Sequence, residues 1–264
     1  MTVPYGDPLP EPPPPPPPHP VRRLLGPLVV AGFAVLKWGG VLLKLKFFTV
    51  ITTMLASMWA YAWLYGWRFA IGFVLLILVH ELGHVVALRA RGIAAGLPVF
   101  IPFLGAFVSM KEQPKTAYDE AVSGIAGPVF GTAAAFAVLG AGVSLDSELL
   151  RVLAYVGFFL NLFNLLPVLP LDGGRTAAAL SPTIWIVGLV GLLAYAVWRP
   201  SPVIPIILLL GGFELWRRWK GRNEEASRIY HDLSADQRLQ IGVAYLALVG
   251  VLLWAMHTWP LPPR

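Results

Sequence analysis

Apolar runs close to twenty residues long recur along this chain, and that recurrence decides its solvent before any motif is considered. The clearest cover 47–66 and 69–90, with further ones at 117–143, 148–167, 183–198, 203–216 and 239–257. A helix needs about 20 apolar residues to cross the hydrocarbon core of a bilayer. Composition agrees: 57% of residues are apolar, 13% are charged and mean hydropathy is +0.69, whereas soluble chains carry about 25% charged residues. The expected fold class is an all-α polytopic membrane protein with about six to seven transmembrane helices.

One apolar piece does not fit a spanning helix. Leu97 to Met110 is short and broken by Pro98, Pro102 and Gly105, and its Val, Ile and Phe content suits a short re-entrant β-hairpin. Non-helical backbone at membrane depth is tolerated only where protein buries it or it lines a wet cavity. The rest of the chain divides by composition. Residues 1–21, with Pro12 to Pro18 consecutive, read as a disordered Pro-rich cytoplasmic tail without the basic-then-apolar pattern of a signal peptide. Residues 22–46 carry Lys37, Lys44 and Lys46 and a Gly39–Gly40 pair in an otherwise apolar stretch. A lysine at the bilayer centre costs roughly 2.5–3.5 kcal/mol, so an interfacial or partly re-entrant segment is expected there. Residues 47–180 form the expected core, and 181–264 the C-terminal transmembrane helices with a basic loop at 217–238.

Charge sets the orientation. With the N-terminus and the 217–238 loop in the cytoplasm and each run crossing once, only Arg68, Arg151, Arg199 and Arg264 fall outside, with Lys37 unassigned. That is the positive-inside bias of a multi-pass protein of the cell membrane. The net charge of +6 is thereby explained by the lipid bilayer as partner, and no nucleic acid is expected. Cysteine is absent, so any metal must be held by His, Asp or Glu.

Polar residues are rare in the spans, which makes His80-Glu81-Leu82-Gly83-His84, inside the run from Ala70 to Leu88, the most informative stretch of the chain. Ionisable groups within a span are costly and mark function by default. Residues four apart share a helix face, so His80 and His84 can direct both imidazoles at one ion, while Glu81 can reach a water on that ion without ligating it. Catalytic zinc commonly has three protein ligands and one open position, so a third ligand is needed. Of the remaining acidic residues, Asp172 alone sits in an apolar context, in Asn164-Leu165-Leu166-Pro167-Val168-Leu169-Pro170-Leu171-Asp172-Gly173-Gly174. Pro167 and Pro170 oppose a regular helix and the glycines permit unusual angles or close approach, so an unwound segment at the level of the histidines is expected, with Asp172 as third ligand. The competing reading is a carboxylate that caps a following helix.

The two motifs together resemble the site-2 protease family of intramembrane zinc metalloproteases. H-E-L-G-H matches the family's first motif, and Asn164 through Gly173 match its second, N-x-x-P-x-x-P-x-D-G. Leu97–Met110 resembles the family's re-entrant hairpin, and Gly124-Ile125-Ala126-Gly127-Pro128 its small-residue stretch between the motifs. The resemblance implies one Zn2+ per chain on His80, His84 and Asp172, with Glu81 as general base. It implies that Asn164 positions the substrate backbone or its developing oxyanion, with Asn161, one turn earlier, a rival in space.

The implied function is a zinc metalloendopeptidase that hydrolyses transmembrane or membrane-proximal segments of a membrane-protein substrate. Water is activated at the zinc, and the active site lies toward the cytoplasmic side. An unwound substrate helix could add to the hairpin as an extra strand. Neither a PDZ-type insertion nor a nucleotide-binding module is apparent, so a compact member is expected. A membrane metal transporter or sensor using the same ligands is the alternative reading. It would require polar residues continuing across several spans, and the outer halves of 117–143 and 183–198 are apolar and small.

Overall fold

The computed structural model describes residues 47–110, 112–198, 203–221 and 229–261. The Pro-rich tract 1–21, the segment 22–46 and the middle of the basic loop lie outside the described residues. The element order is α1 (Phe47–Tyr65), α2 (Trp67–Ala90), β1 (Ala95–Ile101), β2 (Gly105–Met110), α3 (Ala117–Ser144), α4 (Glu148–Asn164), α5 (Asp172–Leu180), α6 (Pro182–Trp198), α7 (Val203–Gly221) and α8 (Ala235–Thr258). Among the described residues four helices are long and apolar enough to cross a membrane: α1, α2, α3 and α8.

The central pair is α2 and α3, about half buried along their apolar windows, whereas α1 and α8 are mostly exposed (17% and 22% buried). That division follows from the side chains. Exposed Trp59, Trp63, Leu239 and Leu246 give the outer helices faces suited to lipid. By contrast α2 and α3 approach through small residues. A Cβ on Gly83 would stand 2.5 Å from the carbonyl oxygen of Ala126 and 2.9 Å from Cβ of Phe130. In a bilayer, where burying an apolar side chain gains little over lipid, such close backbone approach is how helices associate. A core of Ala135, Leu139, Ala154, Phe158, Leu165, Leu252 and Ala255 joins α3, α4 and α8.

Helix ends follow local sequence. Gly66, at φ 81°, makes the turn between α1 and α2. The hydroxyl of Thr116 accepts from the amide of Asp119 to open α3, and Ser234 with Gln237 forms a capping box on α8. Arg91 pairs with Asp119 at 2.7 Å and lies over the Tyr118 ring, clasping the end of α2 to the start of α3.

The hairpin expected at 97–110 is present, antiparallel, with Val99 opposite Phe107 and Ile101 opposite Gly105. The register shifts between Ala95 and Pro98, the place a sheet can accept a proline. Its turn carries Phe103 at φ 65° and Gly105 at φ 94°. The amide of Phe100 donates to the Thr53 hydroxyl (3.3 Å), which ties the hairpin to α1.

Several boundaries differ from the sequence reading: α7 continues to Gly221 and α8 begins at Ala235, both inside the stretch expected as the basic loop at 217–238. The run at 148–167 is helical only to Asn164, since the turns ahead of Pro167 and Pro170 end α4 after 17 residues. The irregular segment then stops at Leu171: Asp172 already belongs to the first turn of a nine-residue helix, α5, whose N-cap is Leu171. The carboxylate of Asp172 makes no cap hydrogen bond there. The phenol of Tyr245 donates to the Leu165 carbonyl, and Arg238 donates to the carbonyls of Ala179 (3.2 Å) and Leu180 (3.0 Å), so α8 holds the end of α4 and the end of α5.

Candidate metal centre

Helix α2 carries His80, Glu81 and His84, all buried despite their polarity (3%, 6% and 8% exposed). The helical repeat puts both imidazoles on the face toward α3, α4 and α5. The Nδ1 atom of His84 lies 2.7 Å from the carbonyl oxygen of Ser123, which can only accept, so Nδ1 carries the proton. The Nδ1 atom of His80 lies 2.8 Å from Oδ1 of Asn161. The orientation of that amide is fixed because its Nδ2 donates to the carbonyl of Gly157 at 2.7 Å. His80 therefore also carries its proton on Nδ1. In both rings the Nε2 atom is left as a bare lone pair.

Those two lone pairs face each other and a carboxylate. The Nε2 atoms are 3.2 Å apart, and Oδ2 of Asp172 lies 3.1 Å from one and 3.3 Å from the other. With both protons on the outer nitrogens, no donor among the described residues satisfies this triangle of three acceptors. A cation does. Ligands about 2.0–2.2 Å from a tetrahedral zinc stand about 3.3 Å from one another, close to the three edges observed. Two neutral imidazoles and one carboxylate, their outer nitrogens held by a carbonyl and an amide, form the donor set and the outer shell that catalytic zinc takes. The residues present fit the ion.

Glu81 stands beside this triangle, one of its carboxylate oxygens within 4.8 Å of ligand atoms of both histidines. Among the described residues its carboxylate has no hydrogen-bond partner, and it faces a cavity of about 510 Å³. His80, His84, Asp172, Asn164 and Arg175 line the same cavity, together with Tyr61, Phe103, Phe107 and Phe163 and the backbone of the hairpin at Gly105–Val108. The structure thus brings all five expected site residues to one space from α2, the end of α4 and the start of α5. It separates the two asparagines: Asn161 is 2% exposed and holds His80, while Asn164 lines the cavity.

Glycines make room for this arrangement. A Cβ on Gly127 of α3 would overlap Nε2 and Cε1 of His84 and stand 2.8 Å from Nε2 of His80; one on Gly131 would overlap the Asn161 amide. Gly173 and Gly174 sit against the backbone of Leu165–Leu169, where a Cβ on either would collide. Neither has positive φ, so of the two reasons for that pair, close approach is the one that operates. Sequence reasoning did not identify the Ser123 carbonyl, because a backbone acceptor leaves no trace in residue type, nor did it single out Arg175.

Residues 68–148 match the model of Peptidase family M50. That stretch holds His80, Glu81 and His84 but ends before Asn164 and Asp172. The chain is 37% identical over 110 residues to "Putative zinc metalloprotease Rip3" of Mycobacterium tuberculosis, covering 39% of this chain and 28% of that protein. It is 29% identical over 115 residues to "Putative zinc metalloprotease sll0528" of Synechocystis sp., covering 41% of this chain and 29% of that one. The chain thus spans less than a third of the length of the curated relatives it matches. The matched stretch nonetheless includes the first ligand motif in its helical setting, so over residues 68–148 the chain is similar to Peptidase family M50 and to these two relatives.

Proposed function

We propose that the chain is an intramembrane zinc metalloendopeptidase acting on transmembrane or membrane-proximal segments of other membrane proteins. The observation that carries this reading is the triangle of Nε2, Nε2 and Oδ2 at 3.1–3.3 Å, with no proton available to it, beside the free carboxylate of Glu81. His80, His84 and Asp172 hold the ion. Zinc, when bound, supplies Lewis acidity, making water easier to deprotonate and a peptide carbonyl easier to attack.

The chain's own residues do the rest. Glu81 takes the proton of the attacking water and returns it to the departing amine, a role its position beside the ligands suits. Asn161, by accepting from Nδ1 of His80, keeps that ring in the tautomer that presents a lone pair. Asn164 contacts the substrate backbone. The exposed backbone of the hairpin beside the cavity offers an unwound substrate main-chain hydrogen bonds as an added strand. The outer helices expose apolar faces to lipid, consistent with six to seven spans if α4, α6 and α7 also cross. The distribution of Lys and Arg supports a cytoplasmic N-terminus and a site toward that side.

The test is purification in detergent, metal analysis, and cleavage of a model single-span protein with and without a chelator. About one zinc per chain and chelator-sensitive cleavage are expected, with His80→Ala losing both. Cleavage that persists at full rate in protein stripped of metal would refute the reading.

A further inference from the structure

Arg175 is a cation in an otherwise acidic and apolar cavity, and neither the ion nor the base requires it. It lies three residues after Asp172 in the first turn of α5, and this turn is held rigidly. Gly173 and Gly174 abut the Leu165–Leu169 backbone, the Thr176 hydroxyl donates to the Asp172 carbonyl (3.1 Å), and the Arg175 Cβ is placed against Gly124 of α3. With its stem packed there, the side chain lines the cavity that Glu81 and Asn164 also line. Among the described residues its guanidinium makes no hydrogen bond and no ion pair within 4.0 Å, unlike Arg91, Arg151 and Arg217, which pair with carboxylates. A half-buried guanidinium left with five free donors is costly unless a ligand takes them up.

Charge balance says which ligand. Two carboxylates, Asp172 and Glu81, already match a divalent ion, so the loaded site is neutral. Hydrolysis replaces the amide C–N bond with a C–O bond from water: both protons of that water end on the amine, which leaves as an ammonium, and the acyl carbon is left as a carboxylate. Once the ammonium departs, that carboxylate is the one negative charge the neutral loaded site leaves unmatched, and Arg175 is the cation lining the same cavity.

We infer that Arg175 binds the acyl side of the scissile bond, pairing through its guanidinium with the carboxylate of the newly formed C-terminus. A planar fork of donors matches a carboxylate bidentately. The inference rests on the peptidase reading for the origin of the carboxylate, but the anion site can be read without turnover.

The probe is an apolar peptide with a free C-terminal carboxylate, compared with the same peptide as its C-terminal amide. Binding is measured on the full chain in detergent, zinc-loaded and chelator-stripped, alongside zinc content. Zinc-loaded wild-type protein should prefer the acid, and stripping the ion, which uncovers the charges of Asp172 and Glu81, should reduce that preference. Arg175→Gln should keep its zinc, bind the amide within twofold of wild type, and lose about 10- to 100-fold in affinity for the acid, the worth of a charge-assisted pair; Arg175→Lys should recover part of it. Three results overturn the inference: Arg175→Gln weakening acid and amide alike or shedding zinc, the acid preference surviving in Arg175→Gln, or wild type binding neither peptide. If the Arg175-dependent preference holds but wild-type protein cleaves nothing, the peptidase reading fails and the anion site stands.

Discussion

A single methyl group on α3 should disable the centre. Gly127→Ala places a Cβ where Nε2 and Cε1 of His84 now lie and 2.8 Å from Nε2 of His80. Neither ring has an easy retreat, because each Nδ1 is tied, one to Ser123 and the other to Asn161. Overpacking a tight site costs about 1–3 kcal/mol. If that strain is relieved by pushing an imidazole out of the triangle, zinc affinity falls by about 5- to 150-fold. The same helix supplies the control. A Cβ at Gly140 meets nothing within 4 Å, so Gly140→Ala carries the same gain in helix propensity, roughly 0.5–1 kcal/mol, without the clash. Competition for zinc against a chromophoric chelator, on both variants in detergent, separates the two effects. Wild-type zinc affinity in Gly127→Ala would refute the argument that this glycine exists to admit the histidines.

Two further outcomes follow from the same geometry. Glu81→Gln removes the base but no ligand, so zinc content should stay at the wild-type level while cleavage drops by about 10²–10⁴-fold; cleavage at the wild-type rate would show that another group takes the proton. Asn161→Leu removes the acceptor of His80 Nδ1, and loss of such an outer partner should weaken zinc binding by about 10–100-fold. An unchanged zinc affinity would mean that the tautomer is held by something else.

The site was legible in the sequence to the extent that its chemistry needs particular residue types at particular spacings. His80, Glu81 and His84 announce themselves by i, i+1, i+4 placement in an apolar run, and Asp172 by being the one carboxylate in an apolar context. The hairpin was legible for a related reason: Pro98, Pro102 and Gly105 forbid a helix in a stretch too short to span. What the sequence hid was relational. Asn161 and Asn164 are one turn apart and chemically identical, so only packing against α2 decides which one meets His80. Helix α5 went unread because Gly173 and Gly174 lower helix propensity at its start, and what they gain is close contact with a neighbouring loop. Gly127 and Gly131 looked like generic helix-packing residues, although the atoms they make way for belong to the site itself. The end of α4 was misplaced by three residues because hydropathy continues through Leu165 and Leu166 after the helix has stopped.

The triangle of acceptors has a consequence for the empty protein. Its corners come from α2 and α5, and its outer anchors from α3 and α4, so an ion bound at the middle would tie four pieces of chain together at once. Without an ion the three acceptors would repel one another unless a proton bridges them, and holding Asp172 in place falls to the packing of Gly173 and Gly174 on Leu165–Leu169 and to Arg238 at the far end of α5. On the zinc reading, starvation for the ion would silence the chemistry while this packing keeps the emptied corner in register, ready to be refilled.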